Sequence, residues 1–391
     1  MRILVTVPWG EPLGGAEAML AAALAGSREE GHELDLVFFE DGSWPATLRD
    51  AGFRVAVIPV GRLREIPRFA AAVLRLARAM RSRKPDLILN WAAKTQLYGA
   101  PAAMLAGMSG RVVWWQHSIP ERNWLDLCAT ALPARAIGCT SRTAARAQAR
   151  LRPARRTFVV AAGVAPPAAV SSPAPGAAPT SDAVPVSSQA VHHPASLELP
   201  TDVPIVGLVG RLQPWKGQDR LLRAQALLRE RGRRMHTVIV GGDAYGLASE
   251  YAASIPELIN ELGLTEEVTL TGQVPDAGPY IERCDILVNA SDPEPFGIVL
   301  LEGMSRGVAV VAVDAGGPAE IVEHGCTGLL ARSGEPAALA DALEPLLESA
   351  AVRERIGGAG RERFMREFTD AAMRRRFFGA LQQVADGAGG A

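Results

Sequence analysis

The sequence predicts an α/β protein built from two doubly wound, Rossmann-like domains. Three observations carry that reading. Short apolar strands alternate with helical stretches along most of the 391 residues. The pattern stops near residue 165 and restarts at Ile205-Val206-Gly207-Leu208-Val209-Gly210. The strands are continuously apolar rather than alternating, as parallel strands covered on both faces must be. A chain of this length also exceeds what one hydrophobic core comfortably organises.

In the first half, Ile3–Pro8 reads as a strand, Gly14-Gly15-Ala16-Glu17 as a turn, Ala16–Glu30 as an alanine-rich helix and Leu34–Phe39 as a second strand. Further strands are expected at Val55–Pro59, Leu87–Asn90, Val112–Gln116, Ala136–Cys139 and Phe158–Ala161, with helices such as Ile66–Arg83 and Arg142–Ala149 between them. This domain spans residues 1–165. Residues 166–203 are rich in Pro, Ala, Ser and Val, with few charges and no period. Such a segment cannot bury enough surface to order itself, so it reads as a linker or inserted loop. His192 and His193 fall inside it and read as plain exposed residues.

The second domain, residues 204–370, repeats the grammar. Its strands are Ile205–Gly210, Thr237–Gly241, Val268–Thr271, Ile286–Asn289 and Ala309–Val313. Its helices lie near Gly217–Glu230, Glu257–Leu262, Pro279–Cys284, Phe296–Arg306, Pro318–Glu323 and Pro336–Leu347. A helical tail runs from Ala351 to about Val384, and residues 371–391 form a C-terminal helix and tail expected to cross back to the first domain. Ligands of such sheets sit at the carboxyl ends of the strands, at a switch point. Two such domains facing each other would make a central cleft.

Composition narrows the function. With a net charge of −1, the chain lacks the polyelectrolyte character of a nucleic-acid binder. The charge is uneven: residues 1–165 hold 22 Lys and Arg against 13 Asp and Glu, and the remainder holds 19 against 29. Seven arginines lie from Arg135 to Arg156, and the stretch Ile66–Lys84 carries Arg68, Arg75, Arg78, Arg81 and Arg83. A basic first half suits an anionic membrane or acceptor, and equally a solvated arginine surface. Cys128, Cys139, Cys284 and Cys326 form no CxxC pair and read as reduced thiols. No apolar run is long enough to span a bilayer, and the N-terminus reads as a strand rather than a signal peptide. The expected location is the cytoplasm, including the inner face of its membrane.

The chemistry concentrates at strand-to-helix turns. Glu294-Pro295-Phe296-Gly297-Ile298-Val299-Leu300-Leu301-Glu302 sets two carboxylates eight positions apart, across a Pro-to-Gly turn and into an apolar helix. A helix N-terminus offers free N–H groups to an anion, and fixed acceptors beside it suit a ligand with both hydroxyls and phosphates. Gly210-Arg211-Leu212 follows a strand and Lys216-Gly217 opens the next helix, so both cations stand where a pyrophosphate would lie. Gly316-Gly317 before Pro318 allows close backbone approach, though tight turns need glycine too. In the first domain Gly14-Gly15 lacks the GxGxxG spacing of a dinucleotide fold, which disfavours a nicotinamide oxidoreductase. His117 ends the strand Val112–Gln116, where ligand contacts cluster; a structural histidine is the plain alternative. Asp292-Pro293-Glu294 looks superficially like a metal site, but its proline argues against a metal cage.

Together these pieces resemble the retaining nucleotide-sugar glycosyltransferases of the GT-B fold, glycosyltransferase family 4. The match rests on Gly210-Arg211-Leu212 with Lys216-Gly217, the Glu294-to-Glu302 element, and Gly316-Gly317 with Glu320-Ile321-Val322 and Gly325-to-Gly328, in the family's order across the second domain. Gly14-Gly15-Ala16-Glu17 and His117 extend it more loosely into the first, acceptor-binding domain. The resemblance implies that Arg211 and Lys216, beside Gly210, contact the donor diphosphate, and that Glu302 binds the ribose. Glu294 would hold sugar hydroxyls near the backbone of Phe296, Gly297 and Ile298, His117 would contact the transferred sugar, and Gly15 would leave room for phosphate or acceptor.

The implied activity is retaining transfer from a UDP- or GDP-sugar to a carbohydrate, lipid-linked or small-molecule acceptor, in polysaccharide, glycolipid or glycoside synthesis. No metal and no cofactor beyond the co-substrate is expected. The competing readings are a sugar-nucleotide epimerase or hydrolase on the same fold and a non-catalytic membrane-associated binding protein.

Overall fold

The computed structural model describes residues 1–12, 14–152, 154–167, 198–243, 246 and 248–387. The chain divides by contacts into two units, one of Met1–Val164, Glu294–Ile298 and the residues from Phe368 onward, the other of Ala165–Pro293 and Val299–Glu367. Most of the expected linker, 168–197 with His192 and His193, lies outside the described residues.

The first unit alternates β1 (Arg2–Val7), α1 (Gly15–Ala25), β2 (Glu33–Phe38), α2 (Ser43–Asp50), β3 (Arg54–Val57), α3 (Ile66–Arg83), β4 (Leu87–Asn90), α4 (Ala93–Leu105), β5 (Val112–Gln116), α5 (Trp124–Ala131), β6 (Ala136–Cys139), α6 (Arg142–Leu151) and β7 (Thr157–Val159). All pairings are parallel, in the order β3-β2-β1-β4-β5-β6-β7. The chain reverses direction across the sheet between β1 and β4, which is the switch point. Strand residues such as Ile3, Leu4, Val5, Ile88, Leu89, Val113 and Trp114 are fully buried, which is why the strands read as unbroken apolar runs.

Local chemistry fixes the helix limits. In α3, Ala72, Val73, Leu76, Ala77 and Met80 recur on one face and are buried. The helix stops at Lys84, which is left-handed at φ 47° and precedes Pro85. The first helix ends at Ala25 rather than running to Glu30, because Gly26 follows and Ser27 Oγ donates to the Leu24 carbonyl.

The second unit carries β8 (Ile205–Val209), α7 (Gln218–Glu230), β9 (His236–Val240), α8 (Ser249–Glu261), β10 (Val268–Gly272), α9 (Gly278–Ile281), β11 (Ile286–Asn289), α10 (Ile298–Ser305), β12 (Ala309–Val313), α11 (Pro318–Ile321), β13 (Leu329–Ala331), α12 (Pro336–Glu348) and α13 (Ala350–Glu367). Its sheet is parallel in the order β10-β9-β8-β11-β12-β13, with the switch point between β8 and β11. Helix α8 begins well before the expected Glu257, with Pro256 inside it. The helical tail comes as two helices: α13 ends at Glu367, and Thr369 caps α14 (Asp370–Ala385), close to the C-terminal helix expected from residue 371, by accepting from the Ala372 N–H.

Helix α14 joins the first unit. Arg374 Nη1 donates to the Ala22 carbonyl of α1, Val164 N donates to the Phe368 carbonyl, and Asp370 N donates to the Val164 carbonyl. No helix among the described residues is long and apolar enough to cross a membrane.

Candidate functional site

In the second unit, the turn after β8 and the loop after β11 meet at the switch point. Gly210 N donates to the Val240 carbonyl and Leu212 N to the Gly242 carbonyl, tying the start of the turn to the end of β9. A short 3-10 turn, Pro214–Lys216, leads into α7. Gly217 caps that helix in the left-handed conformation at φ 74°, and a Cβ there would lie 2.4 Å from the Ala290 carbonyl oxygen. Glycine is required twice over, once for its dihedral and once for the contact. Asp292 N donates to the Trp215 carbonyl at 2.9 Å, and Arg220 Nη1 donates to the Ala290 carbonyl at 3.0 Å. Hydrogen bonds therefore fasten the two loops together at the point where an open parallel sheet binds ligands.

Arg211 and Lys216 both stand on this turn and are half-buried. The Lys216 ammonium lies 4.1 Å from the centroid of the Trp215 ring, a cation–π contact, and the Trp215 indole N–H donates to Gln213 Oε1. The Gly210 Cα faces the Lys216 stem, since a Cβ there would sit 3.6 Å from Lys216 Cδ. Behind the turn, the fully buried Gln218 donates through Nε2 to the Arg211 carbonyl at 2.9 Å. The Tyr251 hydroxyl donates to Asp219 Oδ1 at 2.7 Å and lies 3.2 Å from Gln218 Oε1. Burial, then the Asp219 hydrogen bond, pushes the Tyr251 phenol up, so it stays protonated and holds the turn from below. The sequence reading named neither Gln218 nor Tyr251; Tyr251 is 35 residues past Lys216 and only tertiary structure brings them together.

Glu302 occupies the fifth position of α10, the helix that follows β11 and its loop. Desolvation pushes its carboxyl up to about 7, with Arg306 opposing and Asp276 reinforcing the rise. Neither Arg211 nor Lys216 is among the charges that shift it. Arg306 is engaged elsewhere, with Nε 3.3 Å from Glu282 Oε1 and Nη1 donating to the Glu302 carbonyl. Glu302 is thus a desolvated acceptor close to neutrality, suited to ligand hydroxyls rather than to a structural ion pair. Gly316, at φ 106°, precedes the short α11.

The first unit gathers the remaining predicted residues. Glu294, Phe296 and Gly297 are buried, and Gly297 turns the chain at φ 104° into Ile298. A Cβ on Gly15 would lie 3.0 Å from Ile298 Cδ1, so the turn after β1 approaches the tip of that side chain closely. Glu17 is buried, and its Oε2 would be 2.6 Å from a Cβ on Gly14.

His117, directly after β5, has a buried Nε2 with no protein hydrogen bond, and packs edge-on to Trp91 at 4.7 Å between ring centroids. Burial lowers its pKa to about 3 despite a hydrogen bond to the Trp91 backbone, so the imidazole is neutral at pH 7. The loop beyond it is stapled by Gln116 and Asp126, to neither of which the sequence reading assigned a role. Gln116 Oε1 accepts from Ser118 N and Oγ, and Gln116 Nε2 donates to Asp126 Oδ1; Asp126 Oδ2 accepts from Glu121 N and Asn123 Nδ2. The Asn-x-x-Asp spacing of a helix cap was the available signal.

No group of three or more His, Cys, Asp or Glu among the described residues is arranged to hold a metal ion.

Comparison with known proteins places these features in context. Residues 192–363 match the family model described as glycosyl transferases group 1, and residues 13–166 match that of glycosyltransferase family 4. A D-inositol 3-phosphate glycosyltransferase of Nocardia farcinica is 42% identical over 157 residues, covering 39% of this chain and 35% of the relative. One of Stackebrandtia nassauensis is 36% identical over 168 residues, covering 41% and 37%. The match spans little more than a third of these curated relatives. Among solved structures, the Anabaena protein HepE in complex with UDP-glucose aligns with a TM-score of 0.77 at 24% identity, over 98% of this chain and 100% of that one. Sucrose-phosphate synthase of Thermosynechococcus elongatus aligns at 0.76 and 21%, over 99% and 100%. At these identities the two structures bear on the fold, and they agree with two Rossmann-like domains of GT-B type.

Proposed function

We propose, on the premise that this chain belongs to the GT-B glycosyltransferases of family 4, that it transfers a sugar with retention from a UDP- or GDP-sugar to a hydroxyl-bearing acceptor. The observation that carries the reading is the fastened pair of loops at the β8/β11 switch point, with Arg211 and Lys216 on one of them and the Glu302 helix following the other.

As the bond to the sugar breaks, negative charge gathers on the departing diphosphate. Arg211 supplies a planar fork and Lys216 a point charge for it, beside the N-terminus of α7, which has no side-chain cap. Lys216 is held over the Trp215 ring, and the Arg211 backbone by Gln218, before reaction, which limits the reorganisation the step needs. With two cations at the phosphate position, the reading needs no divalent metal and no cofactor. Glu302 would accept from ribose hydroxyls. Glu294 would accept from the sugar, beside the backbone of Phe296, Gly297 and Ile298. His117, neutral through burial, would hydrogen-bond a sugar hydroxyl. No carboxylate is assigned as a nucleophile, so same-face substitution is the proposed route to retention.

The acceptor is a carbohydrate, a lipid-linked sugar or a small molecule. The aligned relatives are named for inositol 3-phosphate, which makes that compound the first acceptor to try. Peripheral association with an anionic membrane belongs to the same reading. Arg68, Arg75, Arg78 and Arg81 are exposed on α3, alongside Ile66 and Leu74.

A thermal-shift series with UDP, GDP and their sugars, followed by NMR of UDP-glucose with and without inositol 3-phosphate, tests the proposal. Stabilisation by one nucleotide and acceptor-dependent loss of donor are expected. Donor conversion at the same rate without acceptor would identify an epimerase or hydrolase, and no nucleotide effect together with vesicle binding would identify a scaffold.

A further inference from the structure

We propose that Trp91, which no motif picks out, is the positioning residue that locks His117 and the Gly14-Gly15 turn into one rigid arrangement. Trp91 follows β4 directly, at the β1/β4 switch point of the first unit, and is fully buried. Its backbone N–H donates to the Thr6 carbonyl at 3.1 Å, extending the pairing of β4 with β1 by one residue. Its indole N–H donates to the Ala16 carbonyl at 3.1 Å, which fastens the start of α1 just after Gly15. Its backbone also hydrogen-bonds His117, and its ring meets the imidazole edge-on at 4.7 Å. On the other side the ring stacks on Trp115 at 5.4 Å and an interplanar angle of 23°, and it meets Phe377 of α14 at 6.1 Å.

One residue thus ties together the end of β1, through its backbone, and the first turn of α1, the imidazole and the C-terminal helix, through its side chain. Buried tryptophans normally seek a partner for their N–H, and here that need is met on the turn where a ligand would approach. A neighbouring tryptophan provides the contrast. Trp114 is equally buried, but it belongs to a hydrophobic core cluster with residues such as Val112, Ile137 and Tyr98, and its indole nitrogen has no hydrogen-bond partner. Both residues fill core volume, and only Trp91 reaches the site.

The inference rests on the proposed role of His117, so the test separates the two. The full chain carries six histidines and is labelled with ¹⁵N-histidine; His117→Ala assigns the imidazole resonances by subtraction. Trp91→Phe keeps a ring and the backbone bond but loses the indole donor; Trp91→Leu loses the ring as well; Trp114→Phe is the packing control. Trp91→Phe is expected to shift the His117 resonances and to lower the turnover number on UDP-glucose about 10-fold, and Trp91→Leu about 100-fold, with KM within twofold. Trp114→Phe should leave both readouts unchanged even where it lowers Tm. His117 resonances unmoved in Trp91→Phe, or moved equally by Trp114→Phe, would overturn the inference. If Trp91→Leu does not fold, the Trp91→Phe spectrum decides alone. Full turnover in His117→Ala would instead remove the role given to His117, while the spectra would still report whether Trp91 positions it.

Discussion

The two units carry the same kind of turn, glycine after the first strand of a parallel sheet, and furnish it in opposite ways. After β8 the turn is charged and half-buried: Arg211 and Lys216 stand on it, a tryptophan supports the lysine, and a glutamine and a tyrosine hold it from beneath. After β1 the turn bears no cation; it is held by Trp91, which packs on Trp115 and Phe377 and meets the neutral His117 edge-on. A site that must meet developing charge needs cations placed in advance. A site that must aim one neutral imidazole needs rigid aromatic walls. The comparison teaches that equivalent topological positions can be given over to electrostatics or to alignment.

The largest expected effect would break the charged side. Lys216→Ala and Arg211→Ala should each cut transfer 10²- to 10³-fold, or about 3–4 kcal/mol of transition-state stabilisation, with far-ultraviolet circular dichroism unchanged. Turnover within threefold of wild type in both would remove the electrostatic role from this turn.

A second experiment sets one glycine against the other. Gly217 is left-handed, and a Cβ there would strike the Ala290 backbone, whereas a Cβ on Gly15 would meet only the tip of Ile298. Gly217→Ala should cost about 2–3 kcal/mol and lower Tm by roughly 5–10 °C, while Gly15→Ala should cost about 1 kcal/mol or less. Equal losses in thermal melts would mean the two turns are built alike after all.

The smallest effect sharpens the acid side of the second unit. The Glu302 carboxyl is raised from 4.5 to about 7, so the folded state binds its proton more tightly than the unfolded chain. Its contribution to stability is therefore lost as pH rises from about 4.5 through 7. If ionised Glu302 accepts from ribose hydroxyls, nucleotide affinity should run the other way and strengthen up to about tenfold between pH 6 and 8. Calorimetric titration of UDP across that range checks it, and Glu302→Gln should flatten the profile.

Much of this was legible in the residues, because the signals were local. Strand positions followed from continuous apolar runs. The Gly210-to-Gly217 and Glu294-to-Glu302 elements are short stretches whose turn chemistry is written in glycine and proline. Helix limits were less legible. Pro256 looks like a helix breaker, yet α8 runs through it. Thr369 divides the tail with a cap whose partner is three residues on. The support of the site was not legible at all. Trp91, Gln218 and Tyr251 each act through contacts between separate elements, and nothing in their immediate neighbours marks them. The membership of Phe368 onward in the first unit likewise depends on hydrogen bonds to Val164 and Ala22.

That last feature bears on anyone dissecting the gene. An expression clone that stops after residue 167 would keep every strand of the first sheet but discard Phe377 and Phe378, removing one ring from against Trp115 and the ring stacked on His32. Recombinant halves should therefore be split so that the closing helix is supplied in trans or spliced back onto the amino-terminal fragment; a simple two-piece cut would yield a sticky, half-clad lobe.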